Sequence, residues 1–377
     1  MLGIAQDGNL NLMANSLNII ISGGGTGGHL FPALAIGAEI MLRRPAANIH
    51  YIGSKFGIEK DVFPVKNVNH SLLSIRGFQR SINLDSIGKN LLLPGRLLSS
   101  ISKIKGLFND IKPDMVIGTG GYASALPLRE AIRRSIPTLI QEQNSYPGIT
   151  TRWFADKADK VCIAFAEAQT YVKKKCILVG NPVRQEINNG IRDVGLKQFD
   201  FDPEKKTIFL FGGSQGSLAL NQAMNKMISS LSISDTQVIW QTGKDHYANY
   251  NHHESNTTKV LPFVDDMANA YAASDLVMSR SGAITCSELT VCGKPSILVP
   301  FPAAAADHQT KNADALAKHG AAAMIAEKDL IPEKVASLIQ SLLDEESQLK
   351  KMADASLKLG KPNATAEIVN ETLALIQ

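Results

Sequence analysis

His29 closes the run Gly23-Gly24-Gly25-Thr26-Gly27-Gly28-His29, which follows the β-branched stretch Ile19-Ile20-Ile21. A strand that stops at glycines and opens into a helix presents unpaired backbone N–H groups and a positive dipole end. Such a turn is an anion site, most often for phosphate. A histidine on the first turn of that helix is disfavoured as imidazolium and can take a proton near pH 7. The alternative is a histidine that only caps the turn. A second turn of the same kind follows Thr207–Phe211 as Gly212-Gly213-Ser214-Gln215-Gly216, offering amides and a serine hydroxyl to a diphosphate. Two such loops predict two similar α/β halves with a substrate held between them.

Other polar groups sit where the ends of parallel strands are expected, the usual ligand edge of an α/β sheet. In the first half these are Gly118-Thr119-Gly120-Gly121-Tyr122 and Gln141-Glu142-Gln143-Asn144. A polar run directly after an apolar strand is costly to bury without partners. Sugar hydroxyls would supply them; for Gln141 and Gln143 a hydrogen-bonded loop brace serves equally. In the second half, Val264 within Pro262–Met267 can set an apolar edge against a base. Ser279-Arg280-Ser281-Gly282-Ala283-Ile284-Thr285-Cys286-Ser287-Glu288 is again strand, glycine and helix start. Glu288, on the second helical turn, can accept from both vicinal ribose hydroxyls. Asp307-His308-Gln309-Thr310-Lys311-Asn312 offers amides and a histidine to sugar hydroxyls.

The elements that must position these groups follow from pattern. Strands are expected at Asn18–Ser22, Ile49–Ile52, Met115–Gly118, Thr138–Gln141, Lys160–Ile163 and Cys176–Val179. A second series falls at Thr207–Phe211, Val238–Thr242, Thr258–Leu261, Leu276–Ser279, Ser296–Val299 and Ala322–Ile325. Their alternation with helical patterns means βαβ units and parallel sheets. At 377 residues the chain exceeds what one hydrophobic core usually supports, so two domains are expected. The break falls at Gly180-Asn181-Pro182-Val183-Arg184, and Ala364–Ile376 reads as a final amphipathic helix.

Composition removes several functions. Gly23-x-Gly25-x-x-Gly28 matches the dinucleotide fingerprint, but that fingerprint needs an acid about 20 residues on. Ile52-Gly53-Ser54-Lys55 stands there and Glu59 comes too late, which argues against NAD. No run of about 18 apolar residues predicts a transmembrane helix, and Met1–Asn18 lacks the basic start of a signal peptide. The cysteines Cys162, Cys176, Cys286 and Cys292 form no C-x-x-C pair and lie in apolar runs, so inert reduced thiols are expected. Neither metal-ligand spacing nor an Asp-x-Asp pair at a strand end occurs, so no metal and no cofactor are expected. The net charge of +4 divides into +9 over residues 1–180 (21 basic, 12 acidic) and −5 over 181–377 (18 basic, 23 acidic). A basic half suits an anionic surface or ligand. Its basic excess includes Arg76, Arg80, Lys89, Arg96, Lys103, Lys105 and Lys112, interleaved with leucines from Leu91 to Leu98 and with Ile104 and Phe108. This stretch, 72–112, is either a surface for an anionic bilayer or a core helix with a solvated basic face.

In this order the motifs resemble the MurG family of bacterial N-acetylglucosaminyltransferases, which convert lipid I to lipid II. The resemblance is carried by Gly24–His29, Gly120–Tyr122, Glu142–Asn144, Gly180–Arg184, Gly212–Gly216, Arg280–Ala283 with Glu288, and Gln309–Asn312, and spans nearly the whole chain. It implies the GT-B fold, two facing Rossmann-like doubly wound domains. Residues 18–180 would form an acceptor- and membrane-facing domain and 185–358 a UDP-GlcNAc domain, with 359–377 returning to the first. It implies His29 and Glu142 as catalytic residues. Thr26, Gly27, Gly28 and Tyr122 would line the site beside donor and acceptor, and Asn144 would contact the donor. Arg184, Ser214, Gln215 and Gly216 would hold the diphosphate, and Val264 would meet uracil. Ala283, Ile284, Thr285, Cys286 and Ser287 would give backbone contacts. Glu288 would clamp ribose, and Gln309 and Asn312 the sugar. The partners implied are UDP-GlcNAc, undecaprenyl-linked lipid I and the anionic cytoplasmic leaflet of the inner membrane, held peripherally, with no nucleic acid. Two departures stand out: Gln141 replaces a common histidine, and Ala303-Ala304-Ala305-Ala306 precedes Asp307, so neither carries family contacts over. Other GT-B lipid glycosyltransferases, a UDP-GlcNAc epimerase and a non-catalytic dinucleotide module are the competing readings.

Overall fold

The computed structural model describes residues 17–75, 93–233 and 236–376. The expected tail before Asn18 and the basic positions Arg76, Arg80 and Lys89, with Leu91 and Leu92, lie outside the described residues.

Thirteen strands occur among the described residues. In the first sheet they are β1 (Asn18–Ser22), β2 (Asn48–Ser54), β3 (His70–Leu73), β4 (Met115–Gly118), β5 (Thr138–Glu142), β6 (Lys160–Ile163) and β7 (Ile177–Leu178). In the second they are β8 (Thr207–Phe211), β9 (Gln237–Gln241), β10 (Thr258–Leu261), β11 (Leu276–Ser279), β12 (Ser296–Leu298) and β13 (Ala322–Met324). The sheets run β3-β2-β1-β4-β5-β6-β7 and β10-β9-β8-β11-β12-β13. The pairings are parallel, for example Ile21 beside Tyr51 and Ile117, and Leu210 beside Trp240 and Met278. Both orders reverse at a central strand, β1 or β8, and each glycine loop leaves that strand at its carboxyl end. Such a switch point is where open α/β sheets bind ligands.

One strand was not expected. His70–Leu73 has no β-branched residue, yet it pairs with Tyr51–Ser54 at the sheet edge. Leu72 therefore belongs to a strand and not to the basic amphipathic stretch. The helix Leu93–Ile111 carries the described part of that stretch. Ile104 and Phe108 are buried core, whereas Leu97 and Leu98 stand exposed at 46% and 68%.

Alternation along the strands fills both faces of the second sheet. Phe209, Ile239 and Val277 join one apolar cluster, and Ile208, Leu210, Trp240 and Met278 join the other. A strand buried on both faces reads as a continuous apolar run, as Thr207-Ile208-Phe209-Leu210-Phe211 does. The chain divides into two compact units. One takes the described residues up to Gln141, Trp153–Lys160 and those from Ile368; the other takes Glu142–Arg152 and Val161–Glu367. Within the first, Lys160 pairs with Glu371 at 2.6 Å and Arg43 donates to Asn370 at 2.6 Å.

Candidate active site

The first glycine loop is packed by its own chain. A Cβ on Gly23 would lie 1.9 Å from the hydroxyl of Thr119, which donates to the His29 carbonyl at 2.8 Å. Gly121, at φ +73°, brings its backbone so close to the Gly24 carbonyl that a Cβ would sit 2.2 Å from it. The Gly-Gly-Tyr turn thus rests on the first loop, with Tyr122 45% exposed. The Gly25 N–H is already taken, by both carboxylate oxygens of Glu59 at 3.0 and 2.9 Å. One amide of the expected phosphate turn is thus held by an internal carboxylate, while the helix that follows starts without a side-chain cap. The helix Gly27–Arg43 follows, and His29 is on its first turn with Nδ1 3.2 Å from the Thr26 hydroxyl. Thr119 and Glu59 were not singled out for these tasks. Nothing local in the sequence signals them, since each acts on a loop 34 or 90 residues away.

In the second unit the Gly212–Gly216 loop forms a turn in which the Gly216 N–H donates to the Gly213 carbonyl. The helix begins only at Leu218, so Ser214–Gly216 are not its N-terminus, as the sequence had suggested, but an extended turn ahead of it. Gly216 and Gly243, at φ +79° and +88°, pack backbone to backbone; a Cβ on either would lie 2.0 or 2.2 Å from a carbonyl oxygen of the other's segment. Ser214 and Gln215 are exposed. Their side chains have no partner among the described residues.

Gln241 was missed by sequence reasoning. It is buried at the end of β9. Its Oε1 accepts from the Val264 N–H at 2.8 Å and its Nε2 donates to the Gly213 carbonyl at 2.9 Å. Val264 is buried in the core, so only its backbone can face a base. Arg280 is also buried and structural: it donates to the Val299 and Pro300 carbonyls, to the Ser217 hydroxyl and to Glu327.

The helix Ala283–Val291 starts at Gly282 without a side-chain cap, leaving the amides of Ala283, Ile284 and Thr285 for a ligand. Cys286 is fully buried and burial pushes its thiol up to about 12, so it can contribute only backbone. Ser287 donates to the Ala283 carbonyl at 3.0 Å and accepts from Asn181 at 2.9 Å. Glu288 Oε2 accepts from the Tyr271 hydroxyl at 3.1 Å. Burial raises the Glu288 pKa, opposed by attraction to Arg184 and by that hydrogen bond. Arg184 itself is exposed.

Glu142 is a brace. Its buried carboxylate accepts from the Asn144 N–H and side-chain amide, the Gly148 N–H at 3.0 Å and the Thr151 hydroxyl at 2.5 Å. Gln141 and Gln143 are buried as well. Asn312, expected at a sugar, is 0% exposed. Its Oδ1 accepts from the Ser145 N–H and hydroxyl at 2.9 and 3.0 Å, and its Nδ2 donates to Asn144 and to the Ser281 carbonyl. This corrects its role: it ties the Asn144 loop to the start of the Glu288 helix. Asn312→Ala should leave the buried Ser145 N–H unpaired and cost about 1–3 kcal/mol, read as a drop in Tm of several degrees.

Gln309 remains open to a ligand on one side. Its Oε1 accepts from the Phe301 N–H at 3.0 Å, while its Nε2 has no partner among the described residues. Next to it, His308 Nδ1 donates to the Tyr146 carbonyl at 2.9 Å, and burial lowers its pKa. Among the described residues no three His, Cys, Asp or Glu side chains are grouped to hold a metal ion.

Two parallel sheets wound in the same order, each with a glycine loop at its switch point, make this a GT-B protein. Residues 19–163 match the glycosyltransferase family 28 N-terminal domain, and 207–368 match its C-terminal domain. A transferase of Flavobacterium psychrophilum, named UDP-N-acetylglucosamine–N-acetylmuramyl-(pentapeptide) pyrophosphoryl-undecaprenol N-acetylglucosamine transferase, is 42% identical over 95% of this chain and 97% of its own. The enzyme of that name from Christiangramia forsetii is 40% identical over 97% and 99%. The crystal structure of Acinetobacter baumannii MurG superposes with a TM-score of 0.79 at 27% identity, covering 95% of this chain and 99% of that one. The chain belongs to the MurG family of N-acetylglucosaminyltransferases.

Proposed function

We propose that the chain transfers GlcNAc from UDP-GlcNAc to the 4-hydroxyl of MurNAc in undecaprenyl-pyrophosphoryl-MurNAc-pentapeptide, lipid I, giving lipid II. The observation that carries this reading is identity of about two residues in five along nearly the full length of transferases named for that reaction. The acceptor hydroxyl attacks the anomeric carbon as UDP departs, inverting that carbon and forming a β1,4 bond. His29 takes the hydroxyl proton. Negative charge gathers on the departing diphosphate, where fixed amide dipoles stabilise it most effectively. The exposed Ser214 turn, the free amides of Ala283–Thr285 and the Arg184 guanidinium are the groups for that charge. Glu288 clamps the ribose, the Val264 backbone meets uracil, and Gln309 Nε2 donates to a sugar hydroxyl. Glu142 and Asn312 shape the loop that presents Asn144.

The test is incubation with labelled UDP-GlcNAc and a short-chain lipid I analogue. Labelled disaccharide lipid and stoichiometric UDP are expected. Transfer to diacylglycerol instead would favour another lipid glycosyltransferase, and acceptor-free conversion of UDP-GlcNAc would favour an epimerase.

Membrane contact belongs to the same reading. Among the described residues no helix is long and apolar enough to cross a bilayer, so contact would be peripheral. Leu97 and Leu98 are exposed on the helix Leu93–Ile111, a pair suited to insertion at a bilayer interface, while the Arg96 guanidinium stacks over Phe56. A Leu97→Glu/Leu98→Glu variant should bind anionic phospholipid vesicles about 100-fold or more weakly, the two leucines together forfeiting about 3 kcal/mol or more of burial. Undiminished sedimentation with vesicles would place the contact elsewhere.

A further inference from the structure

We propose that Glu59 is a positioning residue of the transfer reaction: its carboxylate ties the first glycine loop at Gly25 to the end of the neighbouring strand at Ser54 and so holds His29 in working geometry. The inference rests on the transferase reading and on His29 as base. Glu59 is 0% exposed. Both its oxygens accept from the Gly25 N–H, at 3.0 and 2.9 Å, and Oε1 also accepts from the Ser54 N–H at 2.7 Å. Among the described residues no lysine, arginine or histidine is paired with it. Its partners are peptide N–H groups, the same partners a phosphate finds in a glycine loop.

The surrounding sequence makes room for this carboxylate and little else. A Cβ on Gly24 would lie 2.2 Å from Oε1, one on Gly57 2.2 Å from Oε2, and one on Gly53 2.4 Å from Cγ. Gly24, Gly53 and Gly57 are thus spaces around one side chain. A buried carboxylate is tolerable only when its oxygens are satisfied. The next residue after Gly25 is Thr26, whose hydroxyl lies 3.2 Å from His29 Nδ1 and whose carbonyl accepts from the His29 and Leu30 N–H groups. The carboxylate therefore fixes the backbone from which the imidazole is oriented. The loop thus depends on a two-oxygen acceptor at position 59.

Glu59→Gln keeps size but turns an NH2 toward an N–H donor. It should lower kcat by about 10–100-fold, the scale of a misplaced catalytic group, while UDP affinity, set in the other unit, changes less than about twofold. Glu59→Ala should lose activity similarly and regain at least about fivefold of it with acetate or formate, but none with acetamide. Wild-type kcat in Glu59→Gln, equal rescue by acetamide, or loss of UDP affinity with activity would each overturn the proposal. Should Glu59→Ala fail to fold, amide exchange in UDP-saturated wild-type protein decides independently: the Gly25 and Ser54 amides are expected to be protected, and exchange of either at the rate of an open loop would refute the tie. A wild-type protein inactive on lipid I would instead strike the functional reading and leave this measurement standing.

Discussion

With His29 replaced by alanine, kcat falls by roughly 10²–10⁴-fold, the usual contribution of a positioned general base. A sugar hydroxyl is a poor nucleophile until its proton has somewhere to go. His29 is the imidazole on the first helical turn after the loop, tethered by the Thr26 hydroxyl at Nδ1. If His29 acts on the acceptor hydroxyl as proposed, KM for UDP-GlcNAc should hardly move. A kcat that survives while KM changes would reduce the histidine to a cap of its own helix.

Glu288→Ala should instead act on the donor, raising KM for UDP-GlcNAc by about 10–100-fold as charge-assisted hydrogen bonds to ribose are lost. Only Oε2 is engaged by Tyr271, which leaves Oε1 for the sugar. The same site predicts a pH effect whose sign follows from burial. The Glu288 pKa is raised above the ordinary 4.5, chiefly by desolvation. The ionised form is the better acceptor, so donor KM should rise as pH falls through that raised value, at higher pH than an ordinary carboxylate would show. Glu288→Gln should flatten this dependence. If wild type and variant discriminate equally between UDP-GlcNAc and its 2′-deoxyribose analogue, Glu288 does not hold the ribose.

The two central strands and their glycine loops were legible because they combine a continuous apolar run with an abrupt glycine stop, a purely local signal. The Glu288 helix was legible for the same reason. What escaped was long-range. His70–Leu73 is a strand because Tyr51–Ser54 offers it an edge, not because its residues prefer one. Asn312 has the composition of a sugar reader, and only the fold shows that Ser145 and Ser281 consume its amide. Glu59 stood too far along to bind a ribose and was set aside on that ground. Its distance in sequence is what lets it reach back to Gly25 from the next strand–helix connection. Gln241 lay inside an expected strand, where alternation says nothing about a polar side chain's partners.

Gln241 has one more consequence. A single buried amide holds the Val264 N–H at one end and the Gly213 carbonyl at the other. Donor and acceptor chemistry allow only this orientation, so the span between the Val264 segment and the Gly213 turn is set by the protein and not by what arrives. If these are the base and phosphate grips as proposed, the pair works as a fixed gauge: a nucleotide would fit according to its own length, with little of its binding energy going into drawing the two ends together.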